Sequence, residues 1–272
     1  MNFLKKRKTI SKEIFFEGIG VHSGKKATVL LKPSEKNDGI YFIKNNKRIN
    51  LDINNIKSDF LCTSISENGE TIKTIEHLLS SLYALGITDL EIEVNSDEIP
   101  ILDGSAFLFS EKINELSYEK KEQIETYDLK ESIFISSNSK FIIAIPSNTL
   151  KINYFLDYDN IFPYFSHEKF VLYSNESYIE KISKARTFGF MKDADKILSL
   201  GMALGTNNDN TLLIEKNYYC SNLRYKNEIA KHKVLDFIGD LSFLKRPINA
   251  EFFCYKTGHK EHLEMTKKLL LL

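Results

Sequence analysis

Residues 231–240 read KHKVLDFIGD, and His232, Asp236 and Asp240 fall four residues apart, so a helix carries an imidazole and two carboxylates in one line. A second stretch, TIEHLLSSLYALG, predicts a helix over about 73–85 closed by Gly86, and it sets His77 directly after Glu76. Two imidazoles and one carboxylate, with a fourth position open to water, are the donor set of a catalytic zinc or ferrous site. His₂Asp accepts Zn²⁺ and Fe²⁺ alike. A carboxylate adjacent to a ligand can reach a coordinated water without holding the metal, which is where a metal-dependent hydrolase keeps its general base.

Such a site requires two helices whose polar faces meet. In 73–85, Ile75, Leu78, Leu79, Leu82 and Leu85 form one apolar stripe, with Lys73, His77, Ser80, Ser81 and Ala84 opposite. In a helix predicted over 227–244, Val234, Leu235, Ile238 and Leu241 form the stripe, with His232, Asp236, Gly239 and Asp240 opposite. An amphipathic helix ordinarily turns its polar face to water. Here Ser, Ala and Gly are small enough for close helix approach, and the histidines and carboxylates recur one turn apart. If the two faces meet, His77, His232 and Asp236 converge.

Around these helices, ATVLLKP (27–33), GIYFIKN (39–45) and LEIEV (90–94) read as strands, and DEIPILDGSA (97–106) carries turn chemistry. The Glu/Lys-rich run SYEKKEQIET (117–126) is the predicted boundary, giving subdomains 1–122 and 123–272. Strands are predicted again at FIIAI (141–145), KINYFLDY (151–158), KFVLY (169–173) and AEFFCYK (250–256), with helices near 177–185, 193–201 and after Gly258. Each half offers strands plus a histidine-bearing helix, an α+β pair of layered subdomains.

Lys+Arg and Asp+Glu number 37 each, and zero net charge argues against general attraction to nucleic acid. No stretch approaches the roughly 18 apolar residues of a membrane span. The basic start MNFLKKRKTI lacks the apolar core of a signal peptide, and the closing KKLLLL reads as the end of an amphipathic helix, so stable membrane insertion is not expected. Cys62, Cys220 and Cys254 lie far apart without a CxxC pair. That disfavours a disulfide framework or a thiolate zinc site and fits a reducing, cytoplasmic compartment.

Six segments in order resemble the signatures of the UDP-3-O-acyl-N-acetylglucosamine deacetylase (LpxC) family: GIGVHSGKKA (18–27), TIEHLLSSLYALGI, EIPILDGSA, ARTFGF (185–190), KHKVLDFIGDL and TGH (257–259). The resemblance runs from residue 18 to about 262, nearly the whole chain. It implies hydrolysis of the N-acetyl group of a UDP-linked, 3-O-acylated glucosamine at a single zinc site, the committed step of lipid A synthesis. It also implies two similar α+β subdomains, each a sheet with helices, the helices packed between the two sheets. A monomer is expected.

Carried over residue by residue, the resemblance makes His77, His232 and Asp236 the zinc ligands and Glu76 the base. His259 would, when protonated, stabilise the oxyanion or assist the leaving amine, with Asp240 holding its imidazole and raising its pKa. Thr187 would offer a hydroxyl to the oxyanion, and Lys233 would meet the polar or diphosphate part of the substrate. Tyr158 falls near the aromatic that stacks on uracil. The stretch 190–205 matches a βαβ insert, near 190–215, that forms the acyl-chain passage, so Phe188, Phe190, Met191 and Leu200 are expected to contact substrate.

Two departures stand out. GHKEHLEM replaces a small residue followed by Leu-Asn after the last Gly-His, so Lys260, Glu261 and His262 alter the surroundings of His259. GTNNDNTLL (205–213) is more polar than its counterpart, which bears on acyl-chain preference, and the chain ends without the dehydratase domain of some relatives. Two rival readings are a nucleophilic hydrolase using a cysteine or serine, for instance Cys62 with a histidine, and a non-catalytic binding protein. The second is disfavoured because every expected position is filled.

Overall fold

The computed structural model describes residues 4–58, 61–158, 165–215 and 218–272. The first half runs β1 (Leu4–Ile10), β2 (Ile14–Ile19), β3 (Lys26–Pro33), β4 (Ile40–Lys44), β5 (Lys47–Asn50), β6 (Ile56–Ser58), β7 (Thr63–Glu67), β8 (Glu70–Lys73), α1 (Glu76–Ala84), β9 (Leu90–Val94), α2 (Phe107–Leu116) and β10 (Ser117–Glu125). The second runs β11 (Tyr127–Asp128), β12 (Ile133–Ser137), β13 (Lys140–Pro146), β14 (Lys151–Asp157), β15 (Phe165–Val171), α3 (Asn175–Lys181), β16 (Phe188–Phe190), α4 (Ala194–Ser199), β17 (Leu212–Glu215), β18 (Tyr218–Tyr219), α5 (Glu228–Leu241), β19 (Ile248–Tyr255) and α6 (His259–Leu270).

Two sheets dominate, ordered β2-β3-β9-β4-β5 and β12-β13-β19-β14-β15, with β11 also pairing β19. Their strands follow the period of two that side-chain alternation imposes. Ala27, Val29 and Leu31 of β3, and Ile248, Ala250, Phe252 and Cys254 of β19, are buried at alternate positions. On the first sheet, Val29, Leu31, Phe42 and Ile92 share one core with Ile75, Leu78, Leu79 and Leu82 of the α1 region. On the second, Ile142, Ile152 and Phe252 share another with Val234, Leu235, Ile238 and Leu241 of α5. Each helix therefore gives its apolar stripe to one sheet, and the two polar faces are left to meet between them. The fold is α+β, as expected, with the helices sandwiched between the sheets.

Some boundaries differ from those read in the sequence. The helix predicted from residue 73 begins at Glu76, because Lys73 still belongs to β8 and Thr74 takes a left-handed φ of 58° that no helix continues through. Gly86, at φ 75°, closes it as expected. The charged run 117–126 is strand β10, paired antiparallel with β1, and Lys120 turns inward to donate to the carbonyls of Ser34 and Glu35 at 3.2 and 3.0 Å. Position 122 lies inside that strand, and the chain joins the second sheet at β11. β16, α4 and β17 form a βαβ unit with its two strands parallel.

Candidate metal centre and its cavity

α1 and α5 meet at Gly239. A Cβ built there would stand 2.3 Å from the Glu76 carbonyl oxygen, so only glycine allows the two helices this close. Ser80 serves the same contact, its hydroxyl donating to the Leu235 carbonyl at 2.8 Å. The contact brings His77 from α1 against His232 from α5, with ring centroids 5.2 Å apart. His77, His232 and Asp236 each offer one ligand atom, all within 4.8 Å of one another, and all three residues are buried.

The donor set fits a divalent cation. Asp236 Oδ1 lies 3.3 Å from His232 Nε2 and is buried with no hydrogen-bond partner among the described residues. Buried polar atoms are rarely left so, and a bound ion is one of the standard reasons. His232 Nδ1 faces the Ala185 carbonyl at 3.2 Å, which leaves Nε2 for the site. Burial lowers His77, and it lowers His232 to about 4, so both rings are neutral as ligation requires. Burial opposes ionisation of Asp236, but His232, Lys233 and His259 outweigh it and hold the carboxyl well below the ordinary range.

Asp240, His259 and His262 form a second cluster of possible ligands within 4.8 Å. Its atoms are already committed to one another. Asp240 Oδ2 accepts from His259 Nδ1 at 2.8 Å and His262 Nδ1 at 2.9 Å, and Oδ1 accepts from the Thr63 hydroxyl at 2.6 Å. The orphaned acceptor lies at the first cluster, which makes that cluster the candidate cation site.

Glu76 opens α1, where a carboxylate faces the positive end of the helix dipole. Its Oε2 accepts from the Thr63 backbone N–H at 3.1 Å, and its Oε1 lies 3.7 Å from His259 Nε2. Burial raises Glu76 to about 8, although His259 opposes the shift. Burial would lower His259, but Asp240 and Asp236 outweigh it and raise the imidazole to about 9. The result is a pair of facing groups, one able to take a proton and one able to give it. Lys233 donates to Asp236 Oδ2 at 2.7 Å, so at rest it pairs with a candidate ligand.

These groups line a cavity of about 890 Å³ that continues past Thr187 to the βαβ unit. Thr187 is held by its backbone, donating to the Gly104 carbonyl at 2.7 Å and accepting from Leu212 at 2.8 Å. Beside it, buried Arg186 pairs with Glu228 at 2.9 Å and ties the segment to the start of α5. Tyr158 packs edge-on against Phe190 with centroids 5.0 Å apart, and Phe188, Phe190 and Met191 line the cavity. Leu200 does not. It is 58% exposed beyond the end of α4, and Ile197 and Leu198 of that helix supply the lining instead. Ile197 is half-buried and Leu198 is 48% exposed at the cavity's edge, and the six-residue helix ends before Leu200.

The structure also gives both departures a local role. Glu261 accepts from the Gly258 N–H at 3.0 Å and so caps α6. His262 is buried on Asp240, and Lys260 lines the cavity. In 205–213, Asn207 and Asn210 bond the backbone of their own loop, so the asparagines set its shape while Thr206, Thr211 and Leu213 face the cavity. Cys62 is buried and is not part of the cavity lining, which leaves a thiol nucleophile without access to substrate. Sequence reasoning assigns no supporting role to Thr63, Arg186, Glu228 or His262. The ARTF and GHKEH segments contain two of them, yet nothing in spacing links Thr63 to a partner 177 residues away.

The profile of the UDP-3-O-acyl N-acetylglycosamine deacetylase family matches residues 7–271. Relatives bearing the name UDP-3-O-acyl-N-acetylglucosamine deacetylase include one from Thermodesulfovibrio yellowstonii, 35% identical over 97% of this chain and 91% of its own length. One from Aquifex aeolicus is 34% identical over 96% and 92%, and one from Syntrophus aciditrophicus is 33% identical over 97% and 86%.

Proposed function

The chain belongs to the UDP-3-O-acyl N-acetylglycosamine deacetylase family, and on that footing we propose that it hydrolyses the N-acetyl group of UDP-3-O-acyl-N-acetylglucosamine in lipid A biosynthesis. The observation that carries the reading is the convergence of His77, His232 and Asp236 from two helices, with an orphaned carboxylate oxygen, beside Glu76. We assign these three as the ligands of a divalent cation, Zn²⁺ in the first instance, with Fe²⁺ accepted by the same donors. A cation there supplies Lewis acidity, polarising the acetyl carbonyl and lowering the pKa of a coordinated water from about 15.7 towards 7.

The chain's own residues do the rest. Glu76 accepts a proton from the attacking water. The Thr187 hydroxyl and the His259 imidazolium stabilise the oxyanion, and His259 passes its proton to the departing nitrogen as the C–N bond breaks. Acetate and the free amine leave. The 3.7 Å between Glu76 and His259 lets one tetrahedral centre meet both groups. Asp240 keeps His259 protonated, and Lys233 is close enough to the cavity to exchange Asp236 for a substrate phosphate. Tyr158 takes the uridine end, and Phe188, Phe190, Met191 and Leu198 take the acyl chain.

We divide the chain between β10 and β11, just beyond residue 122, into two subdomains, each with a core centred on its own sheet, one bearing Glu76 and His77 and the other His232 and Asp236. The centre is complete within one chain, which supports action as a monomer. Cysteines that form no disulfide among the described residues support the cytoplasm as its place, and no helix among those residues is long and apolar enough to cross a membrane. The test is acetate release from UDP-3-O-acyl-N-acetylglucosamine with metal analysis of the same sample. About one equivalent of metal is expected, with activity lost to a chelator and restored by Zn²⁺ or Fe²⁺. Activity that survives complete removal of metal overturns the reading.

A further inference from the structure

We propose that His262 is a positioning residue for the hydrolysis, holding Asp240 in the orientation from which Asp240 holds His259. His262 is fully buried, and its Nδ1 donates at 2.9 Å to Asp240 Oδ2, the same oxygen that meets His259 Nδ1 at 2.8 Å. On its far side, Nε2 lies 2.9 Å from the Tyr154 hydroxyl, which also stands 2.7 Å from the Thr257 carbonyl and 2.9 Å from the Thr257 hydroxyl, so the Tyr154 O–H is placed to donate to Nε2 while the Thr257 side chain completes the network. Tyr154 sits on β14, inside the second sheet between β19 and β15. The imidazole is therefore a strut from a rigid sheet to a carboxylate on α5.

The carboxylate needs such a strut because the terminal torsion of an aspartate is broad and nearly two-fold. The Thr63 hydroxyl fixes Oδ1, and His259, at the first residue of α6, has to rely on Oδ2 being in place. His262 meets that oxygen from the buried side and fixes the carboxylate plane. It does not line the cavity, whereas His259 does, so it acts through Asp240 and not on substrate.

The proposal rests on the assignment of His259 and Asp240 made above. Three variants of the metal-loaded enzyme test it: His262→Asn, whose amide N–H can stand where Nδ1 stood; His262→Gln, whose amide reaches instead towards Tyr154; and His262→Leu, which keeps neither bond. For Leu and Gln, kcat falls about 10- to 100-fold with KM held within about twofold, and Asn recovers most of the loss. The proton NMR signal of His259 Nδ1–H on Asp240 persists in Asn and is lost in Leu and Gln. Equal losses in all three variants that track thermal stability, or an unchanged kcat in His262→Leu, overturn the proposal. His259→Ala is the separate control: full activity there defeats the assignment of His259, whatever the His262 variants do.

Discussion

A methyl group added by Gly239→Ala would stand 2.3 Å from the Glu76 carbonyl oxygen, 3.0 Å from its carbonyl carbon and 3.1 Å from its Cα. These are backbone atoms, so no side chain can rotate out of the way. Relief requires α1 and α5 to part by about 0.7 Å before the closest contact reaches even 3.0 Å. The retreat carries Glu76 and His77 with α1, while His232 and Asp236 stay on α5. Metal–ligand distances tolerate about 0.2 Å, so metal affinity is expected to fall about 10- to 100-fold. Activity of the metal-saturated variant should fall about 100-fold, the usual effect of misplacement on this scale. Stability should change far less. Overpacking destabilises by about 1–3 kcal/mol, and the better helix propensity of Ala returns about 1 kcal/mol of that. Competition with a chromophoric chelator, alongside a thermal melt of the metal-free protein, separates the two effects. A Gly239→Ala protein that binds metal as tightly as the parent and matches its kcat would refute the reasoning, because the helices would then not need this approach.

Glu76→Gln should retain its metal and lose about 10²–10⁴-fold in kcat, checked by single-turnover kinetics with metal analysis. The profile of kcat/KM against pH should be bell-shaped. Glu76 works deprotonated, so activity rises as pH climbs through its pKa, and His259 works protonated, so activity falls through its own. With metal-free values of about 8 and about 9, and a cation lowering both, the limbs should lie at or below those points; a profile lacking the descending limb removes the acid role of His259. Arg186→Met removes the cation paired with buried Glu228 and leaves it only backbone N–H donors, which should destabilise the fold by about 3 kcal/mol in a denaturant titration. Leu198→Ser should raise KM for long-chain substrates relative to a short-chain analogue, while Leu200→Ser should leave both unchanged in the same steady-state assay.

The facing helices are legible in the sequence because periodicity assigns each residue a direction. The 3.6-residue repeat alone sets His77, Ser80 and Ser81 opposite Leu78, Leu79 and Leu82, and Gly239 marks the point of approach. Thr74 is not legible, since nothing in TIEHLL announces a left-handed threonine ahead of the helix. β10 escapes for a related reason: charged residues on a two-stranded ribbon look like a linker when their partner β1 is more than 100 residues upstream. Within the site, residue types expose the ligands and Glu76, but not the supports. Thr63, Arg186 and His262 act through partners from other elements, and their own neighbours in sequence give no sign of it. The expectation for Leu200 fails through length, because α4 stops at Ser199.

The split of the ligands between α1 and α5 also has a consequence in time. As the chain leaves the ribosome, Glu76 and His77 emerge early and can settle on their own sheet, yet they hold only one ligand. His232 and Asp236 follow more than 150 residues later, and His259 and the β19 strand that backs α5 come near the very end. A nascent chain that lacks α5 offers only His77 of the three candidate ligands, so on the assignment proposed above metal capture waits until α5 has docked on α1. Once captured, an ion held by both helices binds only the native state, and at a free concentration about 1,000 times its Kd it stabilises that state by about 4 kcal/mol. On the ligand assignment proposed above, the cation acts as a latch between early- and late-made halves of the protein.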